Sequence, residues 1–232
     1  MSDSSIPVAD CFPGEGSSTI AAISSQVGRL DRIAKRLTDI LLAVVAILLL
    51  APLLIVVAVM VRLSTGKSPI YAHRRVGHKG LPFSCYKFCS MVDVTDEWFS
   101  AYLATHPEAA AEWKATRKLK HDPRVTRLGR ILRESSVDEL PQLFNVLMGD
   151  MSFVGPRPIM FAELEHYGAV ALDYIALRPG LTGLWQVSGR SMLTYDERVR
   201  LDHSYMRSRS IVVDMLILVR TIPAVTRRAQ TS

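Results

Sequence analysis

The sequence is poor in cysteine, with only Cys11, Cys85 and Cys89 among 232 residues and no CxxC pair. An odd count without paired spacing excludes a disulfide framework, and no histidine near Cys85 and Cys89 completes a convincing zinc pattern. The thiols are therefore expected to be reduced, in a cytosolic compartment. Acidic residues are outnumbered, 22 against 28 basic ones, giving a net charge of +6 and a pI near 9.4. That balance points to anionic partners: phosphates, nucleic acid or a lipid surface. The N-terminus has no short basic start leading into an apolar core, so it does not read as a signal peptide. Residues 1–28 are rich in Ser, Gly and Pro, show little apolar periodicity, and are expected to form a mobile tail. No internal repeat is present, and no low-complexity tract beyond that tail.

Ile40 to Val61 contains no charged residue at all. The run is long enough to span a bilayer, which takes about 20 apolar residues. Pro52 lies near its middle, where it removes a helix hydrogen bond and favours a kink. Both flanks are basic: Arg29, Arg32, Lys35 and Arg36 before, Arg62, Lys67, Arg74 and Arg75 after. Positive residues prefer the cytoplasmic side, so the flanks suit a hairpin that enters and leaves by one face. An ordinary transmembrane helix with a tolerated proline fits the same residues.

Beyond this block, Ile70–Val76 and Leu81–Met91 read as strands around a Gly77–Gly80 hairpin loop. Asp93–Lys118 reads as a helix broken at Pro107. Arg124, Arg127, Arg130 and Arg133 recur every third residue and spread over one side of a helical turn, as a solvated face or against anionic headgroups. Ile159–Leu177 reads as a helix and Arg178–Arg190 as a Gly-rich loop, where Gly lets backbone approach a ligand. Tyr195–Arg209 reads as a charged helix. Ile211–Val225 is an apolar helix interrupted by Asp214 and Arg220, so it is expected at an interface or in a core.

The central stretch is Ser135 to Pro158. Ser136 and Glu139 have capping-box spacing, and Leu140, Leu143, Phe144 and Leu147 follow at helical spacing before Gly149. Asp138 and Glu139 are adjacent carboxylates, with Arg133 before them and Arg157 after, the latter in the rigid turn Gly155-Pro156-Arg157-Pro158. Helix capping accounts for such a pair on its own. Two carboxylates at a helix N-terminus among arginines also suit a divalent metal facing a phosphate.

Several segments occur in one order: the basic entry, the proline-broken apolar block, Tyr86-Lys87-Phe88, Asp122-Pro123-Arg124, Asp138-Glu139-Leu140-Pro141-Gln142-Leu143, Gly155-Pro156-Arg157-Pro158 and Arg178-Pro179-Gly180. In these the chain resembles the bacterial sugar transferases, the monotopic polyprenyl-phosphate phosphoglycosyl transferases, from about Arg29 to Arg227. Ala51 stands where that family usually has Ser before the kink proline, and Cys89 where it often has Arg.

The resemblance implies an α/β, mostly helical monotopic membrane protein. Its parts would be a tail (1–28), a basic entry and re-entrant membrane helix kinked at Pro52 (29–63), and a cytosolic catalytic domain on the inner leaflet (64–232). The implied reaction moves a hexose-1-phosphate from a UDP-hexose to undecaprenyl phosphate and releases UMP. In that scheme Asp138 is the nucleophile, and Glu139 a base or a partner in holding Mg²⁺ with Asp138. Lys87, Arg133, Arg157 and Arg178 would neutralise phosphate oxygens. Gln186 and Arg190 are candidates for sugar or nucleotide contact. The implied partners are the two substrates and inner-membrane lipid, not nucleic acid, with a homodimer left open. A membrane-anchored polyanion-binding protein, and a direct transfer without a covalent step, are the rival readings.

Overall fold

The computed structural model describes residues 28–116, 119, 121–189 and 192–226. Apart from Gly28, the tail therefore lies outside the described residues.

The first element is a single helix, α1 (Arg29–Thr65), which runs through Pro52 and ends at Gly66 in the left-handed conformation. Its 37 residues give a length of about 55 Å at 1.5 Å per residue. One stripe of this helix is buried: Asp39, Ala43, Leu54, Val57 and Val61. The spacing holds one face against the rest of the protein over 22 residues, or about 33 Å. The opposite side is apolar and exposed, with Leu41, Val45, Leu48, Leu49, Ile55, Val56 and Val59 facing outward. By length and composition the helix could cross a membrane.

Each end of the helix is fastened differently. Near the start, Lys35 Nζ lies 2.6 Å from Asp214 Oδ2, and Arg36 donates to the carbonyls of Val146 and Leu147 at 2.6 and 2.8 Å. The Asp39 carboxylate accepts from Ser152 Oγ and from the Phe153 amide at 2.8 and 3.0 Å. Near the end, Leu54, Val57 and Val61 pack with Phe88 and Leu132. Burying each of these aliphatic side chains is worth about 1.5–3 kcal/mol.

The expected hairpin forms. Strands β1 (Ile70–Val76) and β2 (Pro82–Phe88) pair antiparallel, with Tyr71 opposite Lys87 and His73 opposite Cys85. Helices α2 (Asp96–Thr105) and α3 (Pro107–Thr116) follow, divided at Pro107 as the sequence predicts. Next come α4 (Arg127–Glu134), a one-turn segment at Val137–Glu139, and α5 (Gln142–Met148).

Three sequence expectations need correction. Ser136 makes no capping bond; it sits at φ 58°, and α5 begins only after Pro141. A proline there costs nothing, because the first amides of a helix have no partner in the helix. Ile159–Leu177 is not one helix but a tighter 3₁₀ run, Phe161–Val170, followed by short α6 (Ala171–Ile175). Gly168 breaks the run with a non-helical conformation. The stretch expected as a Gly-rich loop holds strand β4 (Gly180–Thr182) and helix α7 (Leu184–Ser188).

Strand β4 pairs parallel with β3 (Ser152–Val154), with Ser152 opposite Gly180 and Val154 opposite Thr182. The glycines here are required by close packing. A Cβ on Gly180 would fall 2.2 Å from the Gly155 nitrogen, and one on Gly155 would fall 2.6 Å from the Arg178 carbonyl. Backbone thus lies on backbone where the Gly155–Pro158 turn leaves β3.

Helices α8 (Tyr195–Ser208) and α9 (Ile211–Thr226) close the chain. Their inner faces join the main core around Val154, Ile159, Tyr167, Tyr174, Tyr205 and Ile217. The outer face of α9 shows Val212, Met215, Leu216, Val219 and Ile222 to the outside, as an interfacial helix would.

Candidate active site

A shallow cleft collects side chains from separate elements: Lys87 from β2, Glu139 from the turn before α5, Arg157 from the Gly155–Pro158 turn and Gln186 from α7. Four sequence candidates thus meet in one place. Lys87 Nζ and Glu139 Oε1 are 2.6 Å apart and form a half-exposed ion pair.

Asp138 sits beside this pair but is only 9% exposed, and its side chain does not line the cleft. Among the described residues it makes no salt bridge. Burial pushes its carboxyl up to about 6, the Glu139 charge adds to that, and Lys87 and Arg133 pull against it. Ser136, two residues earlier, has the left-handed backbone that non-glycine residues rarely adopt. Such strain, on the order of 1–3 kcal/mol, is held where the surroundings over-determine the turn.

The turn is held by α5. Asn145 is fully buried; its amide donates to the Ser84 carbonyl at 2.7 Å and its oxygen accepts from the Tyr86 amide at 3.0 Å. One side chain thereby fixes the helix that follows the acidic pair against the strand that carries Lys87.

Arg157 is aimed from three sides. Its amide donates to Asp202 Oδ2 at 3.3 Å, and its carbonyl accepts from the Tyr174 hydroxyl at 2.9 Å. Its guanidinium lies 5.2 Å from the Trp185 ring, and Arg198 lies at the same distance from that ring. Asp202 also accepts from the Tyr167 hydroxyl at 2.7 Å, and burial pushes its carboxyl up to about 7. Around Arg157, Trp185 Nε1, Gln186 Oε1, Tyr195 OH, Arg198 Nε and Asp202 Oδ1 are buried without a hydrogen-bond partner among the described residues. Such atoms are costly to leave unmet.

The remaining candidates are elsewhere. Arg133 donates through Nε to Ser90 Oγ at 2.8 Å and reaches Asp138 through its charge. Arg178 turns away: its Nε donates to the Gly149 carbonyl at 2.6 Å, and it lines a different cavity with Arg36 and His78. Arg190 lies outside the described residues.

Sequence reasoning missed Arg75, Cys85 and Gln142, all of which line the cleft. In the hairpin register, Arg75 shares a face with Cys85 and Lys87, so strand alternation was the signal that could have found it. Arg75 pairs with Glu163 at 3.2 Å. Cys85 is a buried thiol pushed up to about 11 by desolvation, so it is no nucleophile. For Asn145, Trp185 and Asp202 the sequence holds no comparable signal.

Among the described residues, no group of three or more His, Cys, Asp or Glu side chains could hold a metal by itself. The carboxylates that could take part are Glu139, in the cleft, and Asp138, buried beside it. That suits Mg²⁺, which usually takes one or two carboxylates and completes its shell with water and substrate phosphates.

Comparison with known proteins finds a family and close relatives. The family model described as bacterial sugar transferase matches residues 30–228. The exopolysaccharide production protein ExoY of Rhizobium meliloti (strain 1021) is 49% identical over 192 residues, 83% of this chain and 85% of that protein. The undecaprenyl-phosphate galactose phosphotransferase of Salmonella typhimurium is 47% identical over 200 residues, 86% of this chain but 42% of that longer protein. A UDP-glucose:undecaprenyl-phosphate glucose-1-phosphate transferase of Caulobacter vibrioides is 37% identical over 209 residues, 85% of this chain and 73% of that protein.

Proposed function

Because this chain belongs to the bacterial sugar transferase family, we propose that it moves a hexose-1-phosphate from a UDP-hexose to undecaprenyl phosphate, releasing UMP, at the cytoplasmic face of the inner membrane. Galactose is the hexose proposed, because relatives whose names specify it are closer to this chain than those that specify glucose. The reaction would open the assembly of an exopolysaccharide repeat unit.

The observation that carries the reading is the meeting of Glu139 with Lys87 and Arg157 in one cleft, with the buried Asp138 carboxylate directly beside it. Phosphoryl transfer asks a protein mainly for positioning and charge. Arg157, stacked on Trp185, offers a planar fork to phosphate oxygens. Lys87 offers a point charge, and Gln186 Oε1, with no partner among the described residues, offers an acceptor to a sugar or ribose hydroxyl.

Asp138 is the better nucleophile of the two carboxylates, because Glu139 is engaged by Lys87 while Asp138 makes no salt bridge among the described residues. In the first step an Asp138 oxygen attacks the β-phosphorus of the donor. The bond to the UMP oxygen breaks, and UMP leaves with the electron pair. In the second step an oxygen of the lipid phosphate attacks the same phosphorus, and the aspartyl–phosphorus bond returns its electrons to the carboxylate. Two half-reactions let one site serve a soluble and a membrane-embedded substrate in turn. Mg²⁺ held by Asp138 and Glu139 would supply charge neutralisation at the phosphates.

A helix packed along one body over about 33 Å supports a re-entrant or in-plane α1 over a crossing one. A crossing helix would leave the cytosolic body after a few turns. Pro52 would then mark the kink of the re-entrant path.

The test is UMP release from a panel of UDP-hexoses with undecaprenyl phosphate and Mg²⁺, together with mass spectrometry of the donor-treated protein. UDP-galactose turnover and a hexose-phosphate adduct on Asp138 are expected. No turnover with any UDP-hexose would end the proposal. Turnover with ternary-complex kinetics and no adduct would favour direct attack by the lipid phosphate.

A further inference from the structure

A second and larger cavity, of about 610 Å³, lies near the C-terminal end of α5. Helix α5 has the acidic pair just before its N-terminus and this cavity at its C-terminus, where Arg36 and Arg178 hold the carbonyls of Val146, Leu147 and Gly149. The cavity walls come from the start of α1, the hairpin loop, the end of β3, the segment before β4 and the start of α9. None of its lining residues lines the cleft of Lys87 and Glu139.

The cavity is strongly cationic. Arg32, Lys35, Arg36, Lys79, Arg178 and Arg209 line it, against the three carboxylates Asp31, Asp39 and Asp214. Six cations against three anions leave a net charge of +3 with His78 neutral. Two of the three carboxylates already have partners: Asp214 accepts from Lys35 and Tyr205, and Asp39 from Ser152 and Phe153. The Arg36 and Arg178 guanidiniums donate to neutral carbonyls, which themselves cancel no charge. Like charges accordingly crowd one another. Burial and then Arg36 lower Arg178, against Asp39 and Asp150, and burial followed by the charges of Arg178 and Lys79 lowers His78.

Part of the cavity lining is apolar and exposed. Ile211 and Val212 line it, and Val212 is 69% exposed. From there the outward stripe of Met215, Leu216, Val219 and Ile222 continues along α9. A cationic chamber that opens onto an exposed apolar helix face matches an amphiphile: an anionic head inside, acyl chains along the helix. A free inorganic anion would satisfy the charge but not the stripe.

We propose that this cavity is a binding site for the phosphate headgroup of an anionic phospholipid, distinct from the site of chemistry. Bound there, the lipid would hold the starts of α1 and α9 to the membrane and share a wall with the C-terminal end of α5.

The test needs no sugar nucleotide, so its outcome is independent of the transferase reading. The full chain, purified in a neutral detergent, is titrated with dioctanoyl phosphatidylglycerol and followed by native mass spectrometry. Parallel titrations use dioctanoyl phosphatidylcholine and inorganic phosphate. One phosphatidylglycerol per chain is expected, with phosphatidylcholine bound far more weakly and inorganic phosphate a poor competitor. The double variant Lys79→Gln, Arg32→Gln should lose about thirtyfold in affinity, from about 1 kcal/mol per basic residue. Lys67→Gln, a change at an exposed lysine paired with Asp93 outside this cavity, should lose none. A thermal melt checks that each variant is folded, and Lys79→Gln alone, an exposed loop change, gives a smaller loss in the same direction. Equal binding of phosphatidylcholine, or full phosphatidylglycerol binding by a folded double variant, would overturn the proposal. So would displacement of the lipid by equimolar inorganic phosphate or by a short polyprenyl phosphate.

Discussion

Replacing Asp138 with asparagine should stabilise the protein while removing its activity, and the gain should depend on pH. Asp138 titrates near 6 in the folded chain, against an ordinary 3.8, mainly because it is buried and next because Glu139 is charged. The folded state therefore binds this proton more tightly than the unfolded state does. Stability falls as pH rises between the two values, and the whole penalty is present above about 6. A difference of about two units, at 1.36 kcal/mol each, puts that penalty on the order of 3 kcal/mol. The Asp138→Asn side chain carries no charge and avoids it. For a chain of this length, about 2–4 °C per kcal/mol translates the gain into roughly 6–12 °C in Tm. The assay is thermal unfolding in detergent, followed by tryptophan fluorescence, for both proteins at pH 4, 6 and 7.5. The two curves should nearly coincide at pH 4 and separate progressively toward pH 7.5. In a Glu139→Gln background the gap should be smaller and complete at a lower pH, since the second cause of the raised folded-state value is gone while the onset near 3.8 is unchanged. A Tm gap that does not change with pH, or an asparagine variant less stable than the parent at pH 7.5, would refute the reasoning. Active sites commonly keep such groups at a cost in stability.

Two further outcomes are expected. Asn145→Ala leaves the Ser84 carbonyl and the Tyr86 amide without their partner, at about 1–3 kcal/mol each; denaturant unfolding should show a loss of about 2–5 kcal/mol, and a loss below about 1 would contradict the role given to this residue. Arg157→Lys keeps the charge but loses the planar stack on Trp185; kcat/KM for the UDP-hexose should fall about 10²-fold with the unfolding midpoint little changed, and an unaltered kcat/KM would remove Arg157 from the phosphate site.

Much of the local architecture was legible in the sequence. The hairpin at Gly77–Gly80, the break at Pro107, and the helices Tyr195–Ser208 and Ile211–Thr226 all follow from periodicity and punctuation, which act over a few residues. The failures were also local in cause. A serine and a glutamate at capping-box spacing predicted a cap, yet the strained Ser136 turn overrides it. The Arg178–Arg190 stretch looked like a loop because its glycines suggest freedom, whereas Gly180 serves close packing against Gly155.

The sequence alone determined where the charged and apolar residues stand: the Asp138-Glu139 pair, the apolar block around Pro52, and the arginine between prolines. Only the tertiary structure decided how they are used. It sent Arg178 to a helix end instead of the cleft, brought in Arg75 and Asn145, and stacked Arg157 on Trp185. The reason is range. Periodicity reports which face of an element is buried, but the partners that set a site, such as Asn145 with Ser84 or Arg36 with Val146, lie 61 and 110 residues apart. Their meeting depends on how every element between them packs.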